Sequence, residues 1–148
     1  MQITTERFGV VEINEDTIFN FVKPIIGFEN STQYIIIEHD ENSPFKWLQS
    51  ISDGGLAFPV TYASYFDIDY TFELPDDDAK LLELENVEDL LVLNIANIPN
   101  NHPENSTINL LSPVILNFSN KKAMQTILSN SNFPTRQALF PQHATIEI

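Results

Sequence analysis

The chain has no cysteine among its 148 residues, so neither disulfides nor thiolate metal sites are available to it. Basic residues are scarce as well. Seven Lys and Arg stand against 21 Asp and Glu, leaving a formal net charge of −14. A small domain ordinarily carries a charge of magnitude roughly 2–8. So acidic a surface repels nucleic acid and anionic membranes and attracts basic proteins. Long apolar runs are also missing. The richest, Leu90 to Ile98, is interrupted by Asn94 and Asn97 and is far too short to span a bilayer. Met1 to Ile13 carries Glu6, Arg7 and Glu12 and lacks the apolar stretch of a secretory signal. These absences predict a cytoplasmic protein that touches neither nucleic acid nor membrane directly. The Asn-x-Ser/Thr matches at Asn30 and Asn105 are then coincidental in an Asn-rich chain.

The usual carriers of chemistry are thin too. His39, His102 and His143 show no metal-ligand spacing. There is no Gly-rich phosphate loop and no Gly-x-Ser-x-Gly elbow. The run Asp76, Asp77, Asp78 opens like a calcium loop, but its sixth position is Leu81 and its twelfth is Val87. One pair has a usable spacing. Asp67 and Asp69, placed on one face of a strand, would stand ~7 Å apart, near the separation of glycosidase carboxylates. A carboxylate-dependent hydrolase working through that pair is one alternative. A carbohydrate-binding β-domain using Trp47, Tyr62 and Tyr65 is another. The leading expectation is no catalytic residue, no cofactor and no metal.

What the sequence does contain is a series of short apolar-alternating runs separated by turns. From Ser43 to Val60, Phe45, Trp47, Leu48, Ile51, Leu56, Phe58 and Val60 flank the break Ser52-Asp53-Gly54-Gly55, which reads as a β-hairpin. Ile3 to Phe8 and Val10 to Ile13 predict a strand pair bent at Gly9, and further strands are expected over Ile18–Val22 and Tyr34–Glu38. Leu90–Ile98, Thr107–Leu111, Val114–Phe118 and Ala123–Leu128 read as strands too, with Tyr62–Phe72 irregular between. Only one segment is helical in character. Pro75 and three aspartates open it, Ala79 to Leu84 are good formers, and Leu81, Leu82 and Leu84 are expected to pack down. After Ser129 the polar run, Pro134 and Pro141 predict a tail laid across the surface, ending in residues 141–148. The fold class is therefore mainly β, a small antiparallel β-barrel-like domain with one short helix, spanning 1–148. A chain this long buries about two-thirds of its unfolded surface, enough for its own core.

The charge is not spread evenly. Asp76, Asp77, Asp78, Glu83, Glu85, Glu88 and Asp89 face the single Lys80, so seven of the 21 acids fall in 14 positions. Some of this is helix capping and solvated surface. The functional reading is a docking patch for a basic partner, whose encounter rate such charge raises.

The order of short motifs resembles the flagellar assembly factor FliW family over nearly the whole chain. The matching pieces begin with Phe8-Gly9, Gly27-Phe28-Glu29, Ser43-Pro44-Phe45 and Trp47-Leu48-Gln49-Ser50. They continue with Ala57-Phe58, the run Tyr70 to Asp76, the run Thr107 to Ile115, and Thr135-Arg136. Ile26 and Ser112 depart from the residues common in relatives, Asp67-Ile68-Asp69 replaces a stretch often holding Phe and Pro, and Gln142 to Ile148 extends past the usual end. The resemblance implies a β-barrel-like, non-enzymatic regulator with two protein partners, monomeric when alone. One is flagellin before export. The other is CsrA, a basic RNA-binding repressor of translation, which the factor sequesters once secretion has drained flagellin. The expected CsrA contacts are the seven acids of Asp76–Asp89. The expected flagellin contacts are Asn97, Ile98, Pro99, Ile108 and Asn109, beside a loop that would offer an apolar groove to an amphipathic helix.

Overall fold

The structure is a computed structural model that describes residues 1–140. The expected surface tail at 141–148 lies outside the described residues. Among the described residues there are eleven strands and one short α-helix: β1 (Gln2–Thr5), β2 (Gly9–Glu12), β3 (Phe19–Lys23), β4 (Gln33–Ile37), β5 (Lys46–Ser50), β6 (Ala57–Thr61), α1 (Asp76–Leu81), β7 (Leu90–Asn97), β8 (Thr107–Ile108), β9 (Val114–Asn117), β10 (Lys122–Gln125) and β11 (Gln137–Ala138). The fold is mainly β, a barrel with one short helix.

Seven strands close into a ring in the order β3-β4-β5-β6-β7-β9-β10, with β10 returning to β3. An odd-membered ring of alternating strands must contain one parallel joint. That joint is β3–β10, where Ala123 stands opposite Phe21 and the register slips between Ala123 and Met124. Every other joint of the ring is antiparallel.

Alternation along each strand decides which residues fill the barrel. Phe19, Phe21, Tyr34, Leu48, Val60, Leu93, Val114, Leu116 and Ala123 form one buried cluster inside it. The outer wall is covered in three places. Ile3, Val11, Ile13 and Ile18 pack on Ile35 and Ile37 of β4. Phe72, Leu74 and Leu82 cover Ile115 and Met124 of β9 and β10. A third cluster, with Ile108, Leu110 and Leu139, lies where β7 runs on beyond the ring to pair with β8.

Two glycines are required by geometry. Gly9 begins β2 at φ +67, closing the three-residue turn of the first hairpin in a conformation that favours glycine. Gly54, at the tip of β5–β6, accepts the Glu6 amide at 2.9 Å, and a Cβ there would run into the Thr4 carbonyl oxygen. Gln49 secures the same tip from inside, its Nε2 donating to the Ser50 and Leu56 carbonyls at 3.1 Å each.

Two expectations need correction. The segment after Ser129 is not simply laid over the surface: Gln137 and Ala138 pair with Ile108 and Thr107, and Leu139 is buried. A two-residue strand carries no periodic signal, and only its partner β8 makes it one. The helix stops at Leu81, which is 45% exposed, while Leu82, its C-cap, is wholly buried and Leu84 beyond it half-buried. Six residues make under two turns, so the face that meets the barrel is narrow.

Candidate protein-interaction surfaces

The acidic segment is divided by its own packing. Asp78 sits on the buried side of α1, 5% exposed. Its carboxylate accepts from Thr126 Oγ1 at 2.6 Å and pairs with Lys23 Nζ at 3.1 Å, which ties the helix to β3 and to the residue following β10. Asp78 therefore serves the fold and leaves the accessible set. Glu83, at φ +50 just past the helix, pairs with Lys122 Nζ at 2.8 Å. The Leu82 carbonyl beside it accepts from Asn117 Nδ2 and Asn120 Nδ2, so the end of the helix is fastened to β9 and its turn. Asp76, Asp77, Glu85 and Glu88 are exposed and Asp89 is half-buried. The result is a shelf of accessible acid on the outer wall.

A groove of about 530 Å³ adjoins this shelf, between the stretch 71–76, which runs into α1, and the stretch 127–133. Phe72, Leu74, Ile127 and Phe133 supply apolar surface, with Glu73 and Asp76 at the rim. Ile127 is half exposed. The sequence offered no signal for this groove, because its walls are two non-periodic segments more than fifty positions apart.

The stretch leading into the groove is anchored by Tyr70. Its hydroxyl donates to the Leu110 carbonyl, and Asn94 Nδ2 bridges Tyr70 Oη at 3.4 Å and the Asn109 carbonyl at 2.8 Å. Burial pushes the Tyr70 phenol up to about 12, against 10.0 for an ordinary tyrosine. Between pH 10 and 12 the unfolded chain releases this proton while the folded chain keeps it, so stability falls as pH rises through that window. Tyr70→Phe is expected to flatten the fall, with the slope that remains coming in part from Tyr34, which burial also raises. Urea titrations at successive pH values measure it, and an unchanged slope would mean the Tyr70 hydroxyl is solvated.

The second expected surface comes out smaller than the sequence suggested. Ile108 is 1% exposed, pointing into the cluster with Leu110 and Leu139, so it cannot line an open groove. Asn97 is exposed and pairs with Thr107 in the ladder. Ile98, Pro99 and Asn109 are half-buried, and Asn109 Oδ1 accepts from the Ser112 amide at 2.9 Å.

The alternatives lose their geometry. Asp67 adopts φ +56 as it ends a short 3-10 turn over Ala63–Phe66, and neither it nor Asp69 lies in a strand. The face-sharing that placed them ~7 Å apart required a strand. Trp47 is likewise unavailable as a stacking platform, since the Arg7 guanidinium carbon sits 3.9 Å from its ring centroid and Phe8 lies against it. Tyr62 belongs to one mouth of the barrel, with Tyr65 edge-on at 5.0 Å. Among the described residues no group of three His, Asp or Glu is placed to hold a metal ion, and no helix is long and apolar enough to cross a membrane.

A family model described as "FliW protein" matches residues 2–139. The chain belongs to the FliW family. Its FliW relatives include the flagellar assembly factor FliW of Syntrophus aciditrophicus, 40% identical over 136 residues, covering 92% of this chain and 85% of that one. The flagellar assembly factor FliW of Thermotoga maritima is 38% identical over 133 residues, covering 90% of this chain and 89% of its own. A crystal structure of the flagellar assembly factor FliW superposes with a TM-score of 0.90 at 27% identity, covering 97% of this chain and all of that one. Membership of the FliW family supports a role in flagellar assembly. The match from 2 to 139 takes in β11, the groove and the acidic shelf together.

Proposed function

We propose that this FliW-family chain is a non-enzymatic cytoplasmic regulator that binds flagellin before export and, when free of it, binds and antagonises CsrA. The observation that carries the reading is the exposed acidic shelf beside an apolar groove, on a chain of net charge −14. Exposed ion pairs contribute only about 0–1 kcal/mol each, so acids alone steer a partner without holding it. Apolar surface in Phe72, Leu74, Ile127 and Phe133 supplies what the acids lack. A basic RNA-binding protein seated there would have acids near its RNA surface, and RNA would be repelled over about one Debye length, ~8 Å at physiological salt. The CsrA contacts are Asp76, Asp77, Glu85, Glu88 and Asp89, with Glu83 and Asp78 holding the helix in place.

For flagellin the proposed contact is the loop carrying Asn97, Ile98, Pro99 and Asn109, whose Ile98 packs in the same cluster as Phe133 of the groove wall. Ile108 supports this loop from beneath. Mixing the purified chain with each protein and measuring complexes by calorimetry tests the reading. Saturable binding to each partner is expected, with relief of CsrA-repressed flagellin synthesis in a cell-free translation. Hydrogen exchange in the flagellin complex should protect residues 97–109. Binding to neither partner would sink the function, and protection elsewhere would move the flagellin site.

A further inference from the structure

The barrel's two ends are finished differently. At one, the loop 24–31 acts as a stopper: Ile25 is 2% exposed within the barrel core, and Phe28 stands edge-on to Phe58 at 5.1 Å. The Ile26 amide, held by Gln125 Oε1 at 2.8 Å, fixes that loop to the end of β10. At the other end, where β3, β5, β7 and β10 begin, there is an open cavity of about 270 Å³. Phe19, Ile36 and Leu91 from the wall form its apolar floor. Barrel mouths of this kind are common places for small ligands.

Its charge is out of character with the rest of the chain. Only seven cations oppose 21 acids, yet Lys46 and Lys121 both line this mouth. Lys46 stands opposite Val60 and two residues before Leu48, both wholly buried, so its stem leaves the inward face of β5. Neither lysine has a salt bridge among the described residues, unlike Lys23 and Lys122. Instead Lys46 Nζ lies 5.4 Å from the Tyr62 ring centroid, and Lys121 Nζ lies 4.8 Å from that of Phe118 and donates to the Phe118 carbonyl at 2.9 Å. Two ammoniums thus line the edge of an apolar cavity, neither of them in an ion pair among the described residues. The rim has one acid, Asp16, so the mouth is positive by a single charge.

We propose that this mouth binds a medium-chain aliphatic carboxylate. The alkyl chain lies on Phe19, Ile36 and Leu91, and the carboxylate accepts from Lys46 and Lys121 at the rim. Asp16 disfavours dianions such as phosphate monoesters, and the volume suits a chain of octanoate size. This site shares no lining residue with the acidic shelf and stands or falls independently of the flagellin and CsrA reading. Sodium octanoate titrated into the full chain, followed by methyl NMR, tests it. Saturable shifts are expected in the Ile36 and Leu91 methyls. The Lys46→Gln/Lys121→Gln variant should keep the wild-type melting temperature and bind octanoate at least tenfold more weakly, and wild type should bind neutral octanol at least tenfold more weakly than octanoate. No saturable shift, equal binding of octanol, or unchanged affinity in the variant would each overturn the proposal. So would a leucine-terminated peptide that moves the same methyls with higher affinity than octanoate, since the mouth would then be a peptide-terminus site.

Discussion

Reversing Asp77, Glu85 and Glu88 to lysine is expected to slow association with CsrA by about ten- to a hundredfold and to change dissociation by less than about threefold. The three are exposed members of the acidic shelf and have no salt bridge among the described residues. Glu83 is left intact because its carboxylate holds Lys122 at 2.8 Å, and reversing it would disturb the end of α1 as well as the surface. Each reversal changes the charge by two, so the variant falls from −14 to −8 and remains acidic. The wild-type association rate should also fall as salt rises, because the steering field is screened beyond about one Debye length. Glu38, Asp40 and Glu41, exposed, outside the shelf and in no salt bridge among the described residues, give a control of equal charge when reversed. Stopped-flow kinetics on the two purified proteins decide the matter. Equal slowing by the control would reduce the shelf to a contribution to net charge, and a rate indifferent to salt and to both variants would remove it.

Leu116→Ala should cost about 2–5 kcal/mol and lower the melting temperature by roughly 6–15 °C. Leu116 has no exposed surface and lies opposite Leu91 of β7 on one side and Ala123 of β10 on the other. It thus packs at two successive joints of the ring, next to the parallel joint where β10 meets β3. Truncation leaves a cavity that Ala123, already small, cannot fill. Leu81→Ala is the matched comparison on α1. That side chain is 45% exposed, so the change should stay within about 0.5 kcal/mol of wild type. Urea unfolding of both variants measures the contrast. A loss below about 1 kcal/mol at Leu116 would show that the closing strands relax around the gap.

Both results turn on a distinction visible in the chain itself. Most strand positions are legible because their signal is local, although the strands expected over Thr107–Leu111 and Ala123–Leu128 stop at Ile108 and Gln125. Two-residue alternation in Lys46–Ser50 and Leu56–Val60, broken by Gly54-Gly55, is enough to specify a hairpin, and Ala57 pairs with Gln49 as that reading requires. Net charge is a sum and needs no fold. The helix start was legible from Pro75 and the aspartates, but which of its leucines pack was not, since that depends on where six residues meet the barrel wall.

Periodicity, turn chemistry, charge and motif order can all be read along the chain, and they make this a strand-rich acidic protein with the ordered motifs of the FliW family. The tertiary structure alone decided how those strands close. It brought β7 to β9 across the β8 excursion, made the β3–β10 joint parallel, and turned Gln137-Ala138 into a strand through Thr107 and Ile108. It also sorted the acids. Asp78 is removed from the surface by Lys23 and Thr126, which stand 55 and 48 positions away in the chain. No local pattern encodes partners so distant. They meet because the barrel closes, and closure is driven by the burial of the whole interior cluster at once.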